Sequence, residues 1–299
     1  MTAAVFLVAG FGWGAQAGGQ STQPEIAARL MGQPLYLRGM WAGDDMTFEA
    51  DGQPETATAT VPFTEAGIDV RSVELKDGRL VIEGQRMALE FVSPDTIQRV
   101  LAKAEHYNGK MKLEIASDAS GDYSKALDAI FTSDLTSLIP SLPPYWQRYA
   151  KENFCKLTLE KKREKKHKNV SGAATALNAT GQAPCLPTGS DAPASKTGGE
   201  PKREPKHVNR SIKPPRVLKS SAPSFTPLAQ ALRYTGWVEV YLVVEKDGSP
   251  SHVSIRKPVG LGLDEAAVAS VEKYRFAPAT QDGNPVAVDL YIDVNFRIF

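Results

Sequence analysis

Seven apolar residues at every second position close the chain: Val286, Val288, Leu290, Ile292, Val294, Phe296 and Ile298, interleaved with Ala287, Asp289, Tyr291, Asp293, Asn295 and Arg297. Side chains of an extended backbone point alternately to opposite faces, so this pattern demands a long strand with one buried and one wet face. A lone strand is not stable in water, and it needs a neighbouring strand and an apolar cover.

Both are written upstream. Val238 to Val244 reads as a strand, Lys246-Asp247-Gly248-Ser249 supplies a tight turn, and His252 to Arg256 starts the return strand. Leu263, Ala267, Ser270, Val271 and Tyr274 fall at helical spacing, Asp264 suits a helix start, and Pro278 marks the exit. A shorter helix over about 227–233 precedes Gly236. The expected order is helix, strand, strand, helix, strand. The fold class is α+β, with this C-terminal unit at 213–299, a separate β-rich unit at 33–154 and a disordered linker at 157–212 between them.

The residues of the C-terminal unit resemble the C-terminal domain of TonB-type energy transducers. The matching segments are Pro214-Pro215-Arg216, Ala229 to Arg233, Gly236-Trp237-Val238, Asp247-Gly248, Gly262 to Ala267, Tyr274 to Ala279, and Asp282-Gly283. Pro215, Phe225, Gly236, Gly248, Asp264, Phe276 and Pro278 stand at the positions of the family motif. The family usually carries a Tyr-Pro pair where this chain has Phe225-Thr226, with the proline displaced to Pro227. The resemblance implies binding of an extended outer-membrane receptor segment, the TonB box, as a strand added to the sheet edge. It also implies energy from an inner-membrane proton-driven motor (ExbB/ExbD) when the chain is anchored, and it leaves a homodimer open. An unpaired strand edge offers N–H and C=O groups to such a segment. The expected edge is Ala287, Val288, Asp289, Leu290, Tyr291, Ile292, Asp293, Val294 and Asn295, whose apolar members also serve the core.

At the other end, a short apolar run from Ala3 to Trp13 ends in Ala15-Gln16-Ala17. A bilayer-spanning helix needs about 20 apolar residues, whereas a short run followed by A-x-A fits a cleaved export signal. Residues 1–17 are therefore expected to be a signal peptide, with a buried apolar segment as the alternative. Cleavage gives an unanchored periplasmic protein, and retention would make an inner-membrane anchor.

A net charge of +1 with 42% hydrophobic residues allows real cores and points away from bulk nucleic-acid or membrane binding. The linker is uneven. Lys161 to Lys168 is strongly basic, Glu200 to His207 repeats a Pro-Lys theme, and Ser171 to Gly199 has almost no large apolar residue, too little to offset the entropy of ordering. Its flexible-chain reach is roughly 40–45 Å. Cys155 and Cys185 flank its first half, and an oxidising compartment could join them or leave them as separate thiols.

In the 33–154 region, short strands are expected at Leu35–Gly39, Met46–Glu49, Thr56–Phe63, Ile68–Val70, Arg79–Glu83, Met87–Phe91 and Lys112–Ile115, with a turn at Gly84-Gln85. Helices are expected at Pro94–Ala104 and Tyr123–Phe131. Trp41 and Trp146 read as packing residues, with a ligand surface as the other use.

No catalytic, cofactor or metal motif stands out. His106, His167, His207 and His252 lie far apart, and Gly260-Leu261-Gly262 only imitates a phosphate loop, without the following Lys and Ser/Thr. Three function classes follow: a transducer-like peptide binder, an exported scaffold with the same fold and no motor, and an enzyme in the N-terminal unit. The expectation is of a non-enzyme.

Overall fold

A computed structural model describes residues 22–103, 109–159 and 211–298. The expected signal segment 1–17, Cys185, most of the 157–212 linker and three of the four histidines lie outside those residues.

The N-terminal unit runs α1 (Gln23–Leu30), β1 (Leu35–Leu37), β2 (Asp45–Phe48), β3 (Gly67–Lys76), β4 (Arg79–Ser93), β5 (Thr96–Leu101), β6 (Lys110–Ala116), α2 (Ser124–Ile130), β7 (Phe131–Thr132), α3 (Pro144–Asn153) and β8 (Thr158–Leu159). Its sheet has the order β2-β6-β4-β3-β1-β7, with β5 and β8 attached beside the second half of β4. One core lies among α1, α2 and the sheet, around Leu37, Phe48, Ile68, Leu80, Ile82, Leu113 and Ile130. A second, aromatic core gathers Tyr36, Phe63, Phe91, Trp146, Tyr149 and Phe154.

Several expectations for this unit are corrected. Arg79–Glu83 and Met87–Phe91 are one 15-residue strand, with no turn at Gly84-Gln85. Gly84 pairs with Val70 on one side and Met111 on the other, so ladders on both flanks hold it extended. Thr96–Leu101, expected as helix, is β5, because Ile97 packs into the aromatic core while its backbone pairs with β4. The Thr-Ala alternation at 56–63 forms no strand. Before Phe63 its apolar side chains are only Ala57, Ala59 and Val61, little to bury, and it makes an isolated bridge between Thr60 and Trp41. Helix α1 precedes the expected start at residue 33. Ile26 and Leu30, one turn apart, reach the core, and Glu25 accepts the Thr22 backbone N–H at 2.8 Å.

The C-terminal unit runs β9 (Ile212–Lys213), β10 (Arg216–Lys219), α4 (Pro227–Ala231), β11 (Gly236–Val244), β12 (Pro250–Lys257), α5 (Leu263–Val271), β13 (Arg275–Ala277), β14 (Ala279–Gln281), β15 (Asn284–Val286) and β16 (Val288–Phe296). The main sheet is β12-β11-β16, flanked by the small pairings β15-β14-β9 and β10-β13. Helix α5 covers the main sheet: Leu263, Ala267 and Val271 join Val238, Val240, Leu242, Val244, Val288, Val294 and Phe296 in one cluster. The long final strand begins at Val288, after the β14-β15 hairpin. Strands β8 and β9 occupy the two ends of the expected linker span.

The two units share a seam. Beyond Gly67↔Met87, where β3 stops pairing with β4, the exposed edge of β4 is taken up by the C-terminal unit. Phe91 N–H donates to the Val259 carbonyl at 3.0 Å, and Leu261 N–H donates to the Leu89 carbonyl at 2.9 Å. Gly260 sits at φ 85°, and a Cβ there would collide with the Leu89 backbone oxygen, so the pairing requires glycine. The Asp264 carboxylate accepts the N–H groups of Val259 and Gly260, both at 2.8 Å. Gly262 N–H reaches Thr64 Oγ1 at 3.0 Å, and Trp146 Nε1 donates to Glu265 Oε1 at 2.8 Å. Ile255 and Val268 complete the aromatic core of the N-terminal unit.

Three carboxyl groups therefore meet in a dry place. Burial, then the Glu265 charge, pushes Glu65 up to about 7 against the opposing pull of Arg86, and burial raises Asp264 and Glu265 as well. Facing them are the buried Arg86, which donates to the Trp41, Gly43 and Glu65 carbonyls, and Tyr145 of α3. A raised value in the folded state favours the protonated form. The contribution is thus complete below the ordinary 4.5 and disappears as pH rises through about 7. The acids whose values are lowered, such as Asp95, Asp118 and Asp247, titrate below that window. Calorimetry from about pH 5 to about pH 8 should show the unfolding midpoint falling, as the unfolding free energy drops by on the order of 2 kcal/mol for Glu65 once its residual solvent access is allowed for. Glu65→Gln should flatten the profile, and an unchanged profile would contradict the assignment.

Candidate functional site

Strand β16 pairs with β11 in continuous antiparallel register from Gly236↔Phe296 to Val244↔Val288. Among the described residues no strand pairs with its other side. The opposite edge of this sheet is different. Helix α3 of the N-terminal unit lies along β12 and reaches both faces of the sheet. On one face Trp146 packs with Ile255. On the other, the Arg148 guanidinium lies 5.9 Å from the Tyr241 ring centre and Glu152 pairs with Arg256 at 3.7 Å. Among the described residues the sheet therefore keeps one open edge, that of β16.

The expected edge residues fall as follows. Val288, Asp289, Leu290, Tyr291, Ile292, Asp293, Val294 and Asn295 lie in β16, while Ala287 precedes it as the link from β15. Val288 and Val294 are buried in the core, and Leu290 and Ile292 are half-buried against it. On the wet face, Tyr291 keeps 53% of its surface and meets Tyr241 edge to face at 5.5 Å. Burial first, then Asp289 and Tyr291, raise the Tyr241 hydroxyl, with Arg148 and Arg256 opposing.

The motif positions turn out to be architectural. Gly248 sits at φ 81° in the β11-β12 turn, where its carbonyl accepts the Phe276 N–H at 2.9 Å and a Cβ would collide with the Phe276 backbone oxygen. Phe225 packs edge to face on Phe296 at 5.3 Å. Gly236 opens β11, Pro215 lies between β9 and β10, and Pro278 separates β13 from β14. Asp264 holds the Val259–Gly260 amides. Since Leu261 and Gly262 donate to Leu89 and Thr64, the amides of the Gly260-Leu261-Gly262 stretch are all engaged within the protein, which leaves none to cradle a phosphate.

Sequence reasoning missed the role of Val259–Gly262 in the seam. The signal available was the pair of glycines flanking a leucine, which marks a backbone held close to something else. Trp146, expected as a packing residue, is fully buried with its ring 4.7 Å from Phe63. Trp41 packs on Phe48 at 5.0 Å. Cys155 is disulfide-bonded; Cys185, whose pairing with it the sequence leaves open, lies outside the described residues. Among the described residues no group of His, Cys, Asp and Glu is placed to hold a metal, and no helix is long and apolar enough to cross a membrane.

Residues 221–298 match the family model described as the Gram-negative bacterial TonB protein C-terminal domain. Among solved structures, the chain is similar to the solution NMR structure of the Pseudomonas aeruginosa TonB C-terminal domain. That match has 24% identity, covers 30% of this chain and 89% of that one, and has a TM-score of 0.25. No curated protein matches the chain. Gly248→Ala should cost about 2 kcal/mol through strain and lost Gly248–Phe276 contact; a urea titration with an unchanged midpoint would contradict this structural role.

Proposed function

Residues 221–298 form a TonB-type C-terminal domain, and from that premise we propose that the protein is a TonB-like component of a Gram-negative envelope. Its C-terminal domain takes up an extended segment of an outer-membrane receptor as a strand beside β16, in support of energy-dependent transport. One observation carries this reading: α3 occupies the β12 side of the sheet while the β16 side is open. Strand addition draws its affinity from main-chain hydrogen bonds and its selectivity from alternate side chains, and β16 offers both. The non-enzymatic assignment belongs to the same proposal. So does export through residues 1–17, with motor coupling in the case where that segment is retained as an anchor.

The seam favours a second reading, in which the protein is an exported scaffold that binds by the same edge without a motor. A C-terminal domain fixed to a folded unit of its own chain is held in one orientation, unlike a domain at the tip of a free spacer. Fractionation of the expressed protein separates the two. An intact N-terminus in the inner membrane supports the transducer, and a processed, soluble periplasmic form supports the scaffold.

A proline scan through Asp289–Asp293 tests the edge itself. Proline lacks the N–H, and in an edge strand alternate N–H groups point to the partner strand or to the open side. Substitutions facing β11 should unfold the sheet, and those facing outward should leave the fold intact and abolish binding of a receptor-derived peptide. Retention of binding by every folded variant would overturn strand addition.

A further inference from the structure

The wet face of the C-terminal sheet carries a row of charge that stops at the open edge. Across the strands, Lys257 of β12 is in register with Glu239 of β11, and Glu239 is in register with Asp293 of β16. Two carboxylates thus stand side by side in directly opposed positions, an arrangement that disfavours the sheet. Lys257 does not neutralise them: its ammonium lies 3.6 Å from the centre of the Trp237 ring. Among the described residues neither Glu239 nor Asp293 enters an ion pair. The row reads cation, anion, anion, and then open backbone. On the buried-face side, the two rows flanking this one end in Ile292, which is half-buried, and Val294, which is buried.

We propose that the β16 edge selects an extended partner segment carrying a lysine or arginine abreast of Asp293, flanked on both sides by apolar residues abreast of Ile292 and Val294. This deepens the reading of β16 as a strand-addition site and rests on it. A cation in that place extends the row to cation, anion, anion, cation and relieves the Glu239–Asp293 repulsion. The flanking apolar side chains continue the buried-face rows of Ile292 and Val294, and the one abreast of Ile292 covers its half-buried side chain. Two residues along on the wet face the partner meets the exposed ring of Tyr291, which suits an aromatic or apolar group. A second copy of this chain meets like charges in two registers: antiparallel pairing of β16 with itself about Tyr291 sets Asp289 against Asp293, and pairing about Asp293 sets that carboxylate against its own copy. Pairing about Ile292 opposes no carboxylates, so a dimer is one outcome of the test.

Synthetic peptides of alternating valine and threonine, identical except for a central lysine, threonine or glutamate, provide the test when titrated onto the full chain by fluorescence anisotropy. The lysine peptide should bind about three- to fivefold more tightly than the threonine peptide, the range of an exposed cross-strand charge pair. The glutamate peptide should bind most weakly, and the differences should shrink in high salt. Asp293→Lys should invert the order. Asp293→Asn alone, with no peptide present, should raise the thermal midpoint by removing the like-charge pair. Equal binding of the lysine and glutamate peptides, or an order unchanged in Asp293→Lys, would overturn the proposal while leaving strand addition standing. Failure of all three peptides to bind would overturn strand addition and the charge preference together. Elution of the full chain as a dimer whose β16 amides are protected from exchange would assign the edge to a second copy instead.

Discussion

The pairing of Val259–Leu261 with β4 fixes the position of everything that matters for binding. Strand β4 is long enough to outrun β3, and an unpaired strand edge is a liability that must be covered. The C-terminal unit covers it with a turn whose amides are locked by Asp264 and whose closeness to Leu89 requires Gly260. Once that turn is docked, α5 and β12 follow, because the turn lies between them. Val268 and Ile255 then fill the aromatic core around Phe91 and Trp146. A single short backbone contact thus orients a whole domain.

The orientation decides which sheet edge stays available. With α3 straddling β12, the side of β16 away from β11 is left to accept a further strand. The acidic cluster at the seam ties this arrangement to pH. Glu65 and Glu265 come from different units, and their mutual repulsion is least when at least one is protonated. Deprotonation of these acids as pH rises toward neutrality works against the seam, while β16 itself carries none of the groups involved.

Local pattern made the C-terminal unit legible. The alternation from Val288 to Phe296, the Asp247-Gly248 turn and the 263–271 helix are all short-range signals, and each element formed where those signals lie. The edge was expected from the family resemblance and not from local pattern, because central and edge strands of an antiparallel sheet can both carry one solvated face. The N-terminal unit was harder to read because its strands depend on partners distant in sequence. Thr96–Leu101 has no strong period of its own, and only β4 makes it a strand. Gly84-Gln85 looked like a turn in isolation but lies in a central ladder. The seam was not legible at all. Asp264 was read correctly as a residue near a helix start, yet its contacts to Val259 and Gly260 serve a surface formed by residues nearly two hundred positions away, as the Thr64–Gly262 bond shows.

Native-state amide hydrogen exchange on the full chain tests the central claim most directly, because it reports on seam and edge in one experiment without a ligand. Docking predicts slow exchange at Leu261 and Gly262, whose N–H groups are bonded to Leu89 and Thr64, together with alternating slow and fast exchange along β16. Fast exchange at Leu261 and Gly262, or uniform protection of every β16 amide, would contradict an N-terminal unit that clamps the domain and leaves that one edge open.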